Sequence, residues 1–171
     1  MRLILTDRAL RVPVPDDGKT AYVDLTTRKI ARCVGCFGCW TRTPGRCVIR
    51  DDATRIYPLI ARSDTLLYVS RIRYGGYDTV MKTMLERAIP VQQAFIRVVD
   101  GETHHEQRAV VPKRATIVAY GAETPDEQEL FRQLVARNAR NMNFIEHRVL
   151  FVRENEVDDT VKQLIATWER S

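Results

Sequence analysis

The 171-residue sequence is informative first for what it does not contain. No apolar stretch approaches the roughly 20 residues that span a bilayer, which excludes a helical membrane anchor in the part that is read. The N-terminus lacks the long apolar core of a secretory signal, so the expected compartment is the cytoplasm. There is no internal repeat, no low-complexity tract and no Pro/Gly/Ser-rich linker, so residues 1–171 are expected to form a single domain. No run of like charges occurs either. The formal charge of +5 comes from arginines scattered along the chain, which favours an anionic small molecule or an acidic partner and leaves nucleic acid an outside expectation.

Cysteine is scarce, and its distribution is the main signal. All four cysteines lie in Cys33-Val34-Gly35-Cys36-Phe37-Gly38-Cys39-Trp40-Thr41-Arg42-Thr43-Pro44-Gly45-Arg46-Cys47. Thiols at i, i+3 and i+6 can converge on one small object, and a fourth can close it from the Pro44-Gly45 turn. This is the kind of pattern that holds a cubane iron–sulfur cluster. Gly35 and Gly38 suit a backbone that wraps a cluster, having no Cβ and tolerating positive φ. Other readings stay open. Structural zinc usually takes two separated C-x2-C pairs, whereas here the second pair overlaps the first. Disulfides belong to oxidising compartments, and reduced cysteines in a glycine-rich loop need no ligand at all. Cys36 could also serve directly as a redox thiol if Arg32, Arg42 or Arg46 lowers its pKa. Trp40 could shield a cluster or pack on the next helix.

The rest of the chain alternates strands and helices. Apolar or β-branched runs at Arg2–Thr6, Thr20–Leu25, Thr65–Ser70, Ala115–Tyr120 and Phe144–Val152 read as strands. The near-continuous run at Thr65–Ser70 suits a central parallel strand covered on both faces. Between the first two strands, Pro13, Pro15, Asp16, Asp17 and Gly18 forbid a long helix. Helices are expected from about Ala53 to Arg62, from Asp78 towards Pro90, from Thr124 to about Asn141 and from Val157 to Trp168. The first has Asp51 or Asp52 as cap, and Pro58 should kink or delay it. The third should bury Leu130, Phe131, Leu134 and Val135. Residues 71–77 read as a two-glycine loop, and residues 91–114 as an irregular segment that is functional or an interface arm. His104 and His105 within it could bind a metal or reach a partner's active site, or simply pack.

This alternation predicts an α/β, doubly wound parallel five-stranded sheet in the flavodoxin-like order 2-1-3-4-5, with its first crossover helix shortened or missing. Ligands of such a sheet sit outside the carboxyl ends of its strands. The cysteine loop and the Gly75-Gly76 loop are both expected there, around one crevice.

The run Cys33–Trp40, with Thr43-Pro44-Gly45 and Cys47-Val48-Ile49-Arg50-Asp51-Asp52, resembles the compact cysteine motif of flavodoxin-family iron–sulfur flavoproteins, which belong with the NAD(P)H-dependent FMN reductases. Ser63-Asp64, Val69-Ser70, Tyr74-Gly75-Gly76-Tyr77, Lys82 and Glu86-Arg87 are similar to that family's loop and helix after the third strand. The resemblance covers roughly residues 20–125. It implies Cys33, Cys36, Cys39 and Cys47 as ligands of a 4Fe-4S cluster and an FMN at the strand edge. Ser70, Arg71, Tyr74, Gly75 and Gly76 would lie against the isoalloxazine, with Gly121 and Ala122 as a second wall. It further implies NAD(P)H as electron donor, a small-molecule or protein redox partner, and a homo-oligomer. In one place the sequence departs from the family. After the first strand, where a Ser/Thr- and Gly-rich loop and a helix normally hold the FMN phosphate, this chain has Thr6-Asp7-Arg8-Ala9-Leu10-Arg11-Val12-Pro13.

Two functions of different class follow. One is an FMN-dependent oxidoreductase or electron-transfer protein, in which the cofactors carry the chemistry and no nucleophile triad is needed. The other is a non-enzymatic scaffold that has lost FMN, with the cysteine loop binding zinc or nothing.

Overall fold

The computed structural model describes residues 1–168. Strands β1 (Arg2–Thr6), β2 (Thr20–Asp24), β3 (Thr65–Arg73), β7 (Lys113–Tyr120) and β8 (Phe144–Val152) form one parallel sheet in the order β2-β1-β3-β7-β8. This is the expected doubly wound order. β1 lies between β2 and β3, pairing Leu3 with Ala21 on one side and with Leu66 on the other. The three remaining strands make two hairpins: β4 (Gly76–Tyr77) folds back on the end of β3, and β5 (Gln92–Val99) pairs antiparallel with β6 (Glu102–Gln107).

The middle residues of the central strands are apolar on both faces because both faces are covered. Side chains alternate across a strand, so Leu3, Leu5, Leu66, Tyr68, Ile117 and Ala119 enter one core. Ile4, Leu67, Val69, Val118 and Tyr120 enter the other. On the first face lie α2 (Ala53–Arg62), α3 (Thr79–Glu86) and α4 (Pro125–Asn141). α5 (Val157–Trp168) covers the second face with Val157, Val161 and Ile165. Among the described residues no helix joins β1 to β2. Leu10, Val12 and Val14 of the connecting coil pack on the second core instead, doing the covering a helix would do.

Several expectations need correction. Pro58 does not delay α2, which runs through it from Ala53. One i→i−4 hydrogen bond is lost there, while Ala53, Ile56, Tyr57 and Ile60 keep the helix face buried. Asp52 makes no capping bond with its side chain; Asp51 accepts from the Ala53 N–H at 3.1 Å. Residues 71–77 are not an open loop. β3 runs three residues past Ser70 and turns at Tyr74-Gly75, both with positive φ (54° and 71°), as a two-residue hairpin turn requires. Residues 91–114 are largely the β5–β6 hairpin, turned at Asp100-Gly101 with φ of 50° and 79°. α4 has the expected Thr124 cap, in a full capping box with Glu127. However, Leu130 is 54 % exposed, because its side chain leaves the core to roof Gly75. Among the described residues no helix is long and apolar enough to cross a membrane.

Candidate functional site

The cysteine loop leaves the end of β2 and is built from local turns. Gly35 (φ 64°) and Phe37 (φ 53°) reverse the chain before the single-turn helix α1 (Gly38–Thr41). Pro44-Gly45 makes the expected turn: the Arg46 N–H donates to the Thr43 carbonyl at 2.8 Å, with Gly45 at φ 80°. Pro at the second position and a positive-φ Gly at the third define a type II turn. All four cysteines are free thiols; Cys36 is exposed, Cys33 and Cys47 are half-buried, and Cys39 is buried. Burial raises the Cys39 thiol pKa, and Cys47, Cys33 and Cys36 raise it further. The four sulfurs sit in one loop, residues 33–47. They are not drawn tightly together, since among the described residues no three His, Cys, Asp or Glu side chains are gathered for a metal ion.

One buried cation braces the loop. Arg87, just after α3, is 1 % exposed and donates to both Asp51 oxygens at 2.7 and 2.9 Å. It also donates to the carbonyls of Ala31 at 2.7 Å and Ile49 at 3.1 Å. These two carbonyls flank the cysteines, so the guanidinium ties the loop's two ends together. Burial alone would lower the Arg87 pKa; Asp51 and Cys47 outweigh it and hold the guanidinium charged. Burial likewise acts to raise Asp51, but the bonds from Arg87 and Ala31 leave its pKa below the usual range. On the other side Trp40 stacks on Phe37 (5.4 Å), meets the His105 ring at a tilt (4.6 Å) and donates to the Gln92 carbonyl at 3.1 Å. Trp40 thus packs against the β5–β6 arm.

The two histidines diverge, as neighbours on a strand must. His104 is buried between Asn141 Oδ1 (2.9 Å) and Glu102 Oε2 (3.1 Å), while His105 faces Trp40. They do not form a paired metal site.

The flavin-site residues expected from the resemblance are split. Ser70 is fully buried, and its hydroxyl donates to Asp7 Oδ2 at 2.7 Å. The Arg71 N–H donates to the same oxygen at 2.9 Å. Arg71, Gly121 and Ala122 share an open cleft of about 550 Å³ at the carboxyl ends of β3, β7 and β8. Tyr74 and Gly76 belong to a second cleft of about 710 Å³ between α3 and α4. Gly75 faces neither, being roofed by Leu130.

The two regions sit at opposite ends of α3. Its first turn begins where the Asp78 N–H meets the Arg71 carbonyl at 3.0 Å, and its far end is Arg87. Eight residues amount to about 12 Å of helix. The expectation of one shared crevice is not met by these clefts: the cysteine loop is tied to the Arg87 end of α3, and none of its four cysteines lines either cleft.

At the end of β1 the sequence marked only an unsuitable phosphate loop. The structure shows what fills the place. The Asp7 carboxylate accepts from Ser70, the Arg71 N–H and, on Oδ1, the Tyr120 hydroxyl at 2.9 Å. Burial pushes its pKa above the usual aspartate range despite these bonds, with Asp78 adding to the rise. The adjacent N–H groups are already used, Asp7 N on the Val69 carbonyl at 3.1 Å and Arg8 N on Thr6 Oγ1 at 3.1 Å. No helix N-terminus follows. These residues do not fit the phosphate of FMN in the manner of a strand–loop–helix cradle. The four thiols, by contrast, are the donor set an iron–sulfur cluster takes.

Comparison with known proteins places the chain among flavoproteins. No protein-family model matches the chain. It is 25 % identical over 92 residues to an iron–sulfur flavoprotein of Methanocaldococcus jannaschii, covering 54 % of this chain and 47 % of that protein. It is 30 % identical over 86 residues to an iron–sulfur flavoprotein of Archaeoglobus fulgidus, covering 50 % of this chain and 38 % of that one. The match thus spans half or less of the curated relatives' length. Among solved structures, an FMN-dependent NADH-azoreductase of Bacillus anthracis in complex with FMN superposes with a TM-score of 0.57 at 9 % identity, covering 98 % of this chain and 96 % of that one. That likeness shows the flavodoxin-like fold.

Proposed function

We propose that the chain is a flavodoxin-family redox protein, an oxidoreductase or electron-transfer module of the iron–sulfur flavoprotein kind, whose cofactor-holding element is the cysteine loop. Cys33, Cys36, Cys39 and Cys47 are the ligands of a 4Fe-4S cluster in this reading. A bound cluster supplies one-electron transfer. The chain's own part is to present four thiols from one loop, anchor that loop through Arg87 and Asp51, and cover one side with Trp40. The observation that carries the reading is that one loop, residues 33–47, presents all four of the chain's thiols, each free. The curated relatives' names support it. Free thiols fit a reducing cytoplasm. The electron donor is a nicotinamide nucleotide or a protein partner, and the arm, which exposes Phe95 (68 %), Ile96 (64 %) and Val98 (75 %), is the contact of a homo-oligomer.

The test is anaerobic reconstitution with iron and sulfide, followed by the visible spectrum and iron and sulfide analysis. A broad charge-transfer absorption with cluster stoichiometry, lost in Cys39→Ser, is expected. Tight stoichiometric zinc with no iron uptake would refute the assignment. That outcome belongs to the second reading, a scaffold without FMN stabilised by zinc, which the Asp7 geometry favours as far as FMN is concerned.

A further inference from the structure

A dense polar constellation outside the cysteine loop lies where β1 and β3 diverge. Ser70 Oγ, the Arg71 N–H and Tyr120 Oη point three donors at one spot from two strands, at 2.7, 2.9 and 2.9 Å from their acceptors. Two guanidiniums flank the same place, Arg8 and Arg71 lying 5.5 and 5.6 Å from the centre of the Tyr120 ring. Hydroxyl and amide donors backed by arginine are how proteins hold an oxyanion, and the strand switch point is where such sheets bind ligands. The group held here is the chain's own carboxylate.

We infer that Asp7 is a built-in anion occupying the switch point, and that it makes the crevice reject phosphate-bearing cofactors, so that FMN gains nothing over riboflavin from its phosphate. A phosphate arriving there would find the three donors taken and a buried acid beside it. Both arginines are already neutralised. Arg71 pairs with Glu154 at 2.9 Å, and Arg8 donates to the Glu154 carbonyl at 3.2 Å and lies 3.8 Å from Asp158. The inference does not depend on the cysteine loop, and cluster reconstitution leaves it untouched.

The experiment titrates FMN and riboflavin into the full chain by fluorescence quenching, and measures thermal stability with and without inorganic phosphate. The proteins are the wild type, Asp7→Ala and Asp7→Asn. The wild type is expected to bind FMN no tighter than riboflavin, or to bind neither, and to be unmoved by phosphate. Asp7→Ala frees the three donors, and should shift the FMN-to-riboflavin preference about tenfold or more and be stabilised by phosphate. Asp7→Asn keeps the shape, loses the charge, and should show a smaller shift in the same direction; it serves if the alanine variant does not fold. A wild type that prefers FMN tenfold overturns the inference. So do folded variants indifferent to phosphate.

Discussion

Replacing Arg87 by Met tests what holds the cysteine loop. The guanidinium is inaccessible, and Asp51 is only 15 % exposed in its side chain. The substitution leaves Asp51 without its partner and strips hydrogen bonds from the carbonyls of Ala31 and Ile49. Breaking one side of a buried pair costs about 3–5 kcal/mol, a large fraction of the roughly 5–15 kcal/mol that holds a domain together. At about 2–4 °C per kcal/mol for a chain of this size, the melting temperature should fall by roughly 10 °C. Urea unfolding of wild type and variant measures the loss. A second readout follows from the loop itself. In the wild type, exposed Cys36 should react with a thiol reagent first and Cys39 last, being buried with its pKa raised. In Arg87→Met that order should collapse. Adding Asp51→Leu removes the orphaned charge and should recover much of the stability, because a buried ion pair is replaceable by apolar groups, but not the ordered thiols. A loss under about 1 kcal/mol with an unchanged alkylation order would refute the bracing role, since a buried, partnered charge cannot be removed that cheaply.

Two further substitutions probe the frame. Lys113 is fully buried, donates to the Val111 carbonyl, and is pushed by burial from 10.5 down to about 8, against the opposing pull of Asp64. The folded state therefore sheds this proton earlier than the unfolded chain. Relative to Lys113→Met, wild-type stability should be flat below pH 7 and rise by about 2 kcal/mol between pH 7 and 9.5, read by urea midpoints; a pH-independent difference refutes it. Gly75→Ala places a Cβ 2.5 Å from Leu130 Cδ2 at a φ of 71°. It should cost about 1–2 kcal/mol from left-handed strain alone and more from the clash; adding Leu130→Ala should relieve only the clash.

The sheet order was legible because β1, β3 and β7 carry apolar side chains on both faces, a pattern only doubly covered parallel strands tolerate. The hairpins were not legible. Their turns rest on Tyr74 and Asp100 adopting positive φ, where tyrosine has no preference to announce it, although Asp100-Gly101 beside Val98 and Val99 is a recognised hairpin signal. The cysteine motif and its Pro44-Gly45 turn could be read directly, since everything they need is local. Asp7 could be read only as part of a stretch that departs from the family's phosphate loop. Its partners Ser70 and Tyr120 lie 63 and 113 residues away, and no spacing rule connects them. Ser70 and Arg71 were picked out as polar groups at the correct edge, but their donors turn inward to Asp7. Arg87 was visible in sequence only as part of the stretch after the third strand that resembles the family, and its 36-residue separation from Asp51 hid the clamp.

The missing first helix and the filled switch point are one structural change. A helix after β1 would direct its free N–H groups at a ligand and bury its own apolar stripe on the sheet. Without it, the sheet's second face still needs cover, and Leu10, Val12 and Val14 supply it only if the coil is held down. The holding groups are polar. The Arg11 N–H donates to Asp158 Oδ1 at 3.0 Å, Arg8 reaches Glu154 and Asp158, and the Leu10 N–H meets the Tyr22 hydroxyl at 3.4 Å. Asp7 stands at the head of this strap, and its three hydrogen bonds fix the direction in which the coil leaves β1. The same carboxylate thus orients the strap and takes the donors a phosphate would need. Substituting glycines into residues 8–12 would loosen the strap without freeing those donors, so phosphate binding should follow residue 7 and not the flexibility of what comes after it.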